Sequence, residues 1–277
     1  MKADQLKQLC GVLLDADGVL WKEAQPLADL PGIFTRLEQL GLDVVVVTNN
    51  STRTPAYYLE RFREMGVPLE DGQVINSSLA TAEYLQRQHP GGGYVFLVGE
   101  TGLYQTLEQH GFTHLDPPSD KEEDLLAVVA GMDRELTYRK IDRAAALIRL
   151  GVPFIGTNPD KTYPTPEGLS PGAGTVLAAI QAASGQQPQI MGKPRKGLFQ
   201  SAFRRLGCDP GMVLMVGDRL ETDILGAHRA GCLSTLVLSG VSSAEDAEDY
   251  QPAPDWIFPD ITGVIEFLED QREGKQQ

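Results

Sequence analysis

Three observations on the 277-residue chain predict an α/β fold in which a doubly wound parallel sheet is interrupted by a second α/β domain. Apolar, β-branched runs alternate with longer amphipathic segments, which is the grammar of βαβ units. Runs that are apolar at successive positions, such as Val44 to Val47, suit strands buried on both faces beneath helices. The pattern is broken and then resumes near the end of the chain, and the segment between the two halves is too long for a loop.

The elements follow in order. "CGVLLD" reads as a strand, "LPGIFTRLEQLG" as an amphipathic helix, "DVVVVTNN" as a second strand and "TPAYYLERFREMG" as a second helix. The intervening segment has strands of its own in "GYVFLVGE", "LLAVVAGMD" and "VPFIGTN", with a helix at "YRKIDRAAALIRLG". The first pattern returns with "MVLMVGD", a helix near "ETDILGAHRAG", then "LSTLVLSG" and "DWIFPD". The glycine cluster "PGGGY" and the polar "SGQQPQ" mark hinges, so the inserted domain is placed at residues 91–187, between core parts 1–90 and 188–277. The polar tail after Leu268 reads as a frayed terminus.

Composition excludes several classes. An apolar content of 42% can fill one large core or two modest ones. The 24 Lys and Arg against 38 Asp and Glu give a net charge of −14, a field that repels a nucleic acid backbone. Cys10, Cys208 and Cys232 are odd in number and far apart, which fits free thiols in a reducing compartment, with cytoplasm the default, better than a disulfide framework or zinc cluster. The apolar run ending at Leu14 meets Asp15 too soon for a signal peptide or a membrane span.

In an open parallel sheet, ligands sit beyond the carboxyl ends of the strands, so the residues ending each apolar run should converge. Those residues are Asp15 and Asp17, then Thr48 and Asn49, then Asp218, with Asp223 opening the next helix and Lys193 supplied by "IMGKPRKG". Carboxylates this crowded call for a cation among them, and an oxygen-only set suits a hard ion such as Mg²⁺. Such an ion would draw in an anionic oxygen. Lys193 and the Thr48 hydroxyl would complete a phosphate-sized pocket. Asp15 is then placed to attack phosphorus, and Asp17, two residues on, to act as general acid and then base, with Gly18 allowing the sharp turn.

Each signal has a plainer reading. "DADG" opens some Ca²⁺ loops, but an EF-hand fails because Gly18 comes fourth and the twelfth position is Pro26. "GKP" lacks the Ser or Thr of a phosphate-binding loop, and "SPGAGTVLAAI" lacks a third glycine and reads as a helix N-terminus. None of the four histidines sits among the acidic strand ends, and none is assigned a role. The order of all four strand-end signals, each after an apolar run, separates them from coincidence.

With "LLDADGVLW", "VVVVTNN", "MGKP" and "MVGDRLETDI" in this order, the chain resembles the haloacid dehalogenase superfamily of phosphohydrolases, and within it the subgroup that includes NagD-like and p-nitrophenyl phosphatases. "INSSLATAEYL" and "TNPDKTYPTPEGLSPGAGT" extend the likeness nearly end to end. The resemblance implies a Rossmann-like core with the insert as a cap. It implies Asp15 as nucleophile, Asp17 as acid and base with its carbonyl on Mg²⁺, and Asp15 and Asp218 as side-chain ligands. It further implies Thr48 and Asn49 as phosphate holders, Lys193 as the cation steadying nucleophile and phosphoryl group, and Asp223 as the residue orienting water at the metal. Asp17 argues for phosphatase over dehalogenase chemistry. By analogy with the segment facing the active site in relatives, Asn158 and Asp160 help choose the substrate.

The expected function is thus Mg²⁺-dependent hydrolysis of a small phosphorylated metabolite through an aspartyl phosphate, in a monomer or homodimer without nucleic acid or membrane partners. The alternatives are a phosphotransferase or phosphomutase of the same superfamily and a non-catalytic phosphate- or metal-binding regulator.

Overall fold

The computed structural model describes residues 5–23, 25–116, 119, 121–165 and 168–273. The chain forms two compact units, one of Met1–Thr48, Tyr58–Ile75 and Lys193–Gln277, the other of Asn49–Tyr57 and Asn76–Gly192. The segment 91–187 lies inside the second. Both are α/β.

The first unit holds a six-stranded sheet in the order Trp256–Phe258, Leu233–Val237, Val213–Gly217, Gly11–Leu14, Asp43–Thr48, Val74–Asn76. The pairings from Trp256–Phe258 through Asp43–Thr48 are parallel. All four residues of Gly11–Leu14 and five of the six in Asp43–Thr48 are buried, which is why these strands read as continuous apolar runs. Val12, Leu14, Val44, Val46, Leu214 and Val216 share one core with Ile33 and Leu37 of the helix Leu30–Gln39, Phe62 of the helix Pro55–Glu64 and Ile265 of the helix Ile261–Glu273. Each such aliphatic side chain contributes about 1.5–3 kcal/mol by leaving water.

The second unit holds a five-stranded parallel sheet in the order Gln189–Ile190, Phe154–Gly156, Leu125–Ala130, Gly93–Val98, Phe112–His114. Its core includes Phe96, Val128, Leu147, Leu177 and Ile180, the last three from the helices Tyr138–Arg149 and Ala173–Ser184. Two antiparallel pairs escape the sequence pattern, Trp21–Lys22 with Gln25–Pro26 and Thr162–Thr165 with Gly168–Pro171, because strands of two to four residues are too short for periodicity to register.

Two expectations are corrected. Cys10 and Cys208 are joined by a disulfide, S–S 2.09 Å with Cα atoms 6.4 Å apart, and only Cys232 is free. A sequence separation of 198 conceals the pairing. Cys10 precedes the strand Gly11–Leu14 and Cys208 precedes Val213–Gly217, and those strands are neighbours in register from Gly11 with Val213. The cysteine argument for a reducing compartment therefore falls. The tail after Leu268 stays ordered as far as Glu273: the helix Ile261–Glu273 carries on, Leu268 is buried and Arg272 Nη2 donates to Leu9 O at 3.0 Å. Residues 274–277 lie outside those described. No helix among the described residues is long and apolar enough to cross a membrane.

Candidate active site

From Gly11–Leu14 the chain builds the first sheet outward on one side through Asp43–Thr48 and Val74–Asn76, then returns to build the other side from Val213–Gly217. The reversal of direction makes Gly11–Leu14 and Val213–Gly217 a topological switch point, and open parallel sheets bind ligands beyond the carboxyl ends of such strands. Asp15 and Asp218 are the residues that follow those two strands.

Asp15, Asp218 and Asp223 are all buried, and each offers a carboxylate oxygen within 4.8 Å of the others. Lys193 is buried with them. Its Nζ lies 2.7 Å from Asp15 Oδ1 and 2.7 Å from Asp223 Oδ1, and donates to Val47 O at 3.3 Å. Asp223 reaches the cluster from a wide helical turn, Leu220–Ile224, where its Oδ2 accepts from Arg219 N at 3.0 Å. Asp218 Oδ2 accepts from Val241 N at 2.8 Å, while Asp218 Oδ1 is buried and accepts no hydrogen bond among the described residues.

Three carboxylates against one ammonium leave excess negative charge. Burial drives the Asp15 pKa well above its ordinary value; Lys193 works against the rise, Asp223 and Asp218 with it. Burial and then Asp223 push Asp218 up to about 7. Burial alone would favour neutral Lys193, but Asp15 and Asp223 outweigh it and hold the ammonium. A hard divalent cation fits this set: it matches oxygen-only donors, offsets the repulsion that raises the carboxyl pKa values, and gives the orphaned Asp218 Oδ1 a partner.

Asp17 lies on the turn that leaves the same strand. Leu20 N and Trp21 N both donate to Ala16 O, at 3.0 and 3.2 Å, and Gly18 N donates to Trp21 O at 2.8 Å. Gly18 has φ +87°, in the left-handed region, and a Cβ there would collide with Asp218 Oδ2, so glycine meets two demands at once. The Asp17 carboxylate, which is not one of the three clustered carboxylates, accepts from Trp21 Nε1 at 3.0 Å through Oδ1. Asp17 is solvent-exposed as a residue, yet the protein packed about its carboxyl desolvates it enough to raise its pKa, with the Trp21 hydrogen bond opposing.

Thr48 ends the strand Asp43–Thr48 and is buried. Asn49, Asn158 and Asp160 belong to the second unit. There Asn49 Nδ2 donates to both Asp160 oxygens at 3.1 Å, and Asn49 O accepts from Ser77 Oγ at 2.6 Å and Asn158 Nδ2 at 2.7 Å. Asn158 Oδ1 accepts from Asp160 N at 3.2 Å. Asn158 is buried and serves as a brace, whereas Asp160 is partly exposed. Gly192 is tight against this network, since a Cβ there would come 2.5 Å from Asn49 Oδ1. Sequence reasoning missed Trp21. A tryptophan four residues after the second aspartate was the available signal, but it reads equally as a core side chain.

Two sequence families match the chain, haloacid dehalogenase-like hydrolase over residues 12–113 and HAD-hydrolase-like over residues 190–264. An acid sugar phosphatase of Staphylococcus aureus (strain USA300) is 34% identical over 264 residues, covering 95% of this chain and 100% of the relative. The chain belongs to the haloacid dehalogenase-like hydrolase family. Among solved structures, a 4-nitrophenylphosphatase from Thermotoga maritima superposes with TM-score 0.86 at 32% identity, covering 95% of this chain and 98% of that one. NagD from E. coli K-12 gives TM-score 0.82 at 32% identity, covering 91% and 97%. This member of the haloacid dehalogenase-like family is a phosphomonoester hydrolase of the NagD and nitrophenyl phosphatase kind.

Proposed function

We propose that the chain is a Mg²⁺-dependent hydrolase of small phosphomonoesters working through an aspartyl phosphate on Asp15. The observation that carries this is Asp15 at the switch point, its Oδ1 held 2.7 Å from the buried Lys193 ammonium beside two further buried carboxylates.

Asp15 Oδ2 attacks phosphorus as the bond to the leaving oxygen breaks, and Asp17 passes its proton to that oxygen. Asp17, now a carboxylate, takes a proton from the incoming water, whose oxygen displaces Asp15 from phosphorus. Inorganic phosphate leaves with Asp15 regenerated and Asp17 reprotonated. Lys193 steadies Asp15 and meets the phosphoryl oxygens, Asp223 anchors Lys193 from the other side, and Thr48 and Asn49 hold phosphate. Asp15 and Asp218 side chains, with the Asp17 carbonyl, would hold Mg²⁺, and Asp223 stands in reach of the same set. When bound, the ion supplies positive charge to the phosphoryl group and its nucleophile.

The relatives' names, acid sugar phosphatase and 4-nitrophenylphosphatase, support small phosphorylated metabolites, sugar phosphates included, as substrates. Asp160, oriented by Asn49 and Asn158, is the side chain assigned to substrate choice.

Incubation with a panel of sugar, alkyl and aryl phosphates, with Mg²⁺ or with chelator, tests the reading. Inorganic phosphate should be released with Mg²⁺, be lost on chelation and return on readdition. Phosphate moved to a second sugar without release would favour a phosphomutase. No turnover of any ester at saturating Mg²⁺ would leave a phosphate-binding regulator.

A further inference from the structure

We infer that Trp21 is a positioning residue for the proton transfer, fixing the Asp17 carboxyl in one orientation and keeping its transferable proton on Oδ2. The inference rests on the proposed role of Asp17 as acid and base.

Trp21 Nε1 is the one donor to the Asp17 carboxylate among the described residues, at 3.0 Å to Oδ1. The carbonyl oxygen of a protonated carboxyl group accepts an N–H far better than its hydroxyl oxygen does, so the Trp21 bond to Oδ1 favours the hydrogen of protonated Asp17 on Oδ2. As the ester bond breaks, its electron pair goes to the leaving oxygen, Oδ2 delivers the proton there, and Oδ1 stays bonded to the indole throughout.

The donor itself is immobile. Trp21 is fully buried although Asp17 is exposed. Its ring packs against Phe62 at 5.0 Å and stacks on Tyr58 at 6.3 Å, with the Arg61 guanidinium 4.1 Å from the ring centroid. All three come from the helix Pro55–Glu64, so one helix clamps the indole that orients the acid. The backbone repeats the tie, since Gly18 N donates to Trp21 O at 2.8 Å. An exposed carboxylate without such a partner would sample several rotamers and lose effective concentration at the leaving oxygen.

A purely structural Trp21 would affect all substrates alike, whereas a proton donor matters in proportion to how badly the leaving group needs a proton. The test is kcat/KM with Mg²⁺ for alkyl phosphates and for 4-nitrophenyl phosphate, whose phenolate departs unaided, in wild type, Trp21→Phe, Trp21→benzothienylalanine and Asp17→Asn. The benzothienyl analogue keeps the shape of the indole and replaces N–H by sulfur, so it remains informative if the Phe variant folds poorly. General acid catalysis is worth about 10²–10⁴-fold, and loss of its positioning should remove about tenfold of that from the alkyl esters while 4-nitrophenyl phosphate stays within about threefold. Asp17→Asn should show the same selectivity, more severely. Equal losses on both substrate types, or no loss, in the benzothienyl variant while Asp17→Asn remains selective would overturn the role of Trp21 alone. An unselective Asp17→Asn would overturn the acid assignment and this inference with it.

Discussion

Two polar clusters follow strand ends in this protein, one in each unit, and they are built on opposite principles. Around Asn49, Asn158 and Asp160, amides and a hydroxyl meet acceptors at 2.6–3.2 Å, and the network joins segments more than a hundred residues apart. Around Asp15, Asp218 and Asp223, three buried carboxylates have one lysine, which pairs with Asp15 and Asp223, and Asp218 Oδ1 accepts no hydrogen bond among the described residues. A satisfied network fixes shape, whereas a cluster left short of positive charge stores affinity for a cation and an electrophilic phosphorus. Mutations should therefore separate the two: activity without stability in the first unit, stability before activity in the second.

The largest effect is expected at Asp15. Asp15→Asn keeps the volume, removes the proposed nucleophile and relieves like-charge repulsion, so phosphate release should fall by about a thousandfold or more while the melting temperature in chelator stays level or rises. Turnover within tenfold of wild type, measured as released phosphate, would break the comparison at its root.

Lys193 is the exception that sharpens it, because it belongs to the reactive cluster and is also buried. Lys193→Met strands Asp15 and Asp223 without their cation, and loss of one partner from a buried ion pair costs about 3–5 kcal/mol. Urea denaturation should show that loss together with loss of turnover, and a Met variant as stable as wild type would argue that the carboxylates are protonated in the folded chain.

The acidic cluster should also give the metal-free protein a pH signature. Asp218 in the folded chain titrates near 7, against about 4 for an unfolded aspartate, so the native state binds more protons between those values. Its contribution is fully present below pH 4 and is lost as the pH rises to 7. Melting curves in chelator should reveal this falling component, Asp218→Asn should flatten it, and Mg²⁺ should raise the melting temperature more at pH 8 than at pH 6. A Mg²⁺ shift that is independent of pH would detach the metal from these carboxylates.

The smallest effect belongs to the satisfied network. Asn158→Ala strips a donor from Asn49 O and an acceptor from Asp160 N, which costs about 1–3 kcal/mol of stability. Below its melting temperature the variant should keep kcat within several-fold of wild type, with any change expressed in KM through Asp160. A kcat loss comparable to that of Asp15→Asn would erase the distinction between the clusters.

Much of this site could be read from the sequence because a buried parallel strand is apolar on both faces and must stop at its first polar residue. "VLLD", "VVVVT" and "LMVGD" therefore announce both the strands and the residues at their carboxyl ends. All three runs do lie in one sheet, and the roles proposed for Asp15, Asp218 and Lys193 are expected from what such an edge can bind. Tertiary structure decided what depends on distance between segments. Asp223 reads as a helix-opening acid, and only the wide turn Leu220–Ile224 swings it onto Lys193. Asn158 is expected near the substrate by analogy with relatives, and only the structure shows its amide donating to Asn49 O, 109 residues away. The Cys10–Cys208 pairing spans 198 residues. Trp21 is close to Asp17 in sequence, but a spacing of four looks helical, and a tight turn brings the indole to the carboxylate instead. Local pattern carries burial, which each residue registers by its own solubility; partner choice is a property of pairs, and no single stretch of chain contains it.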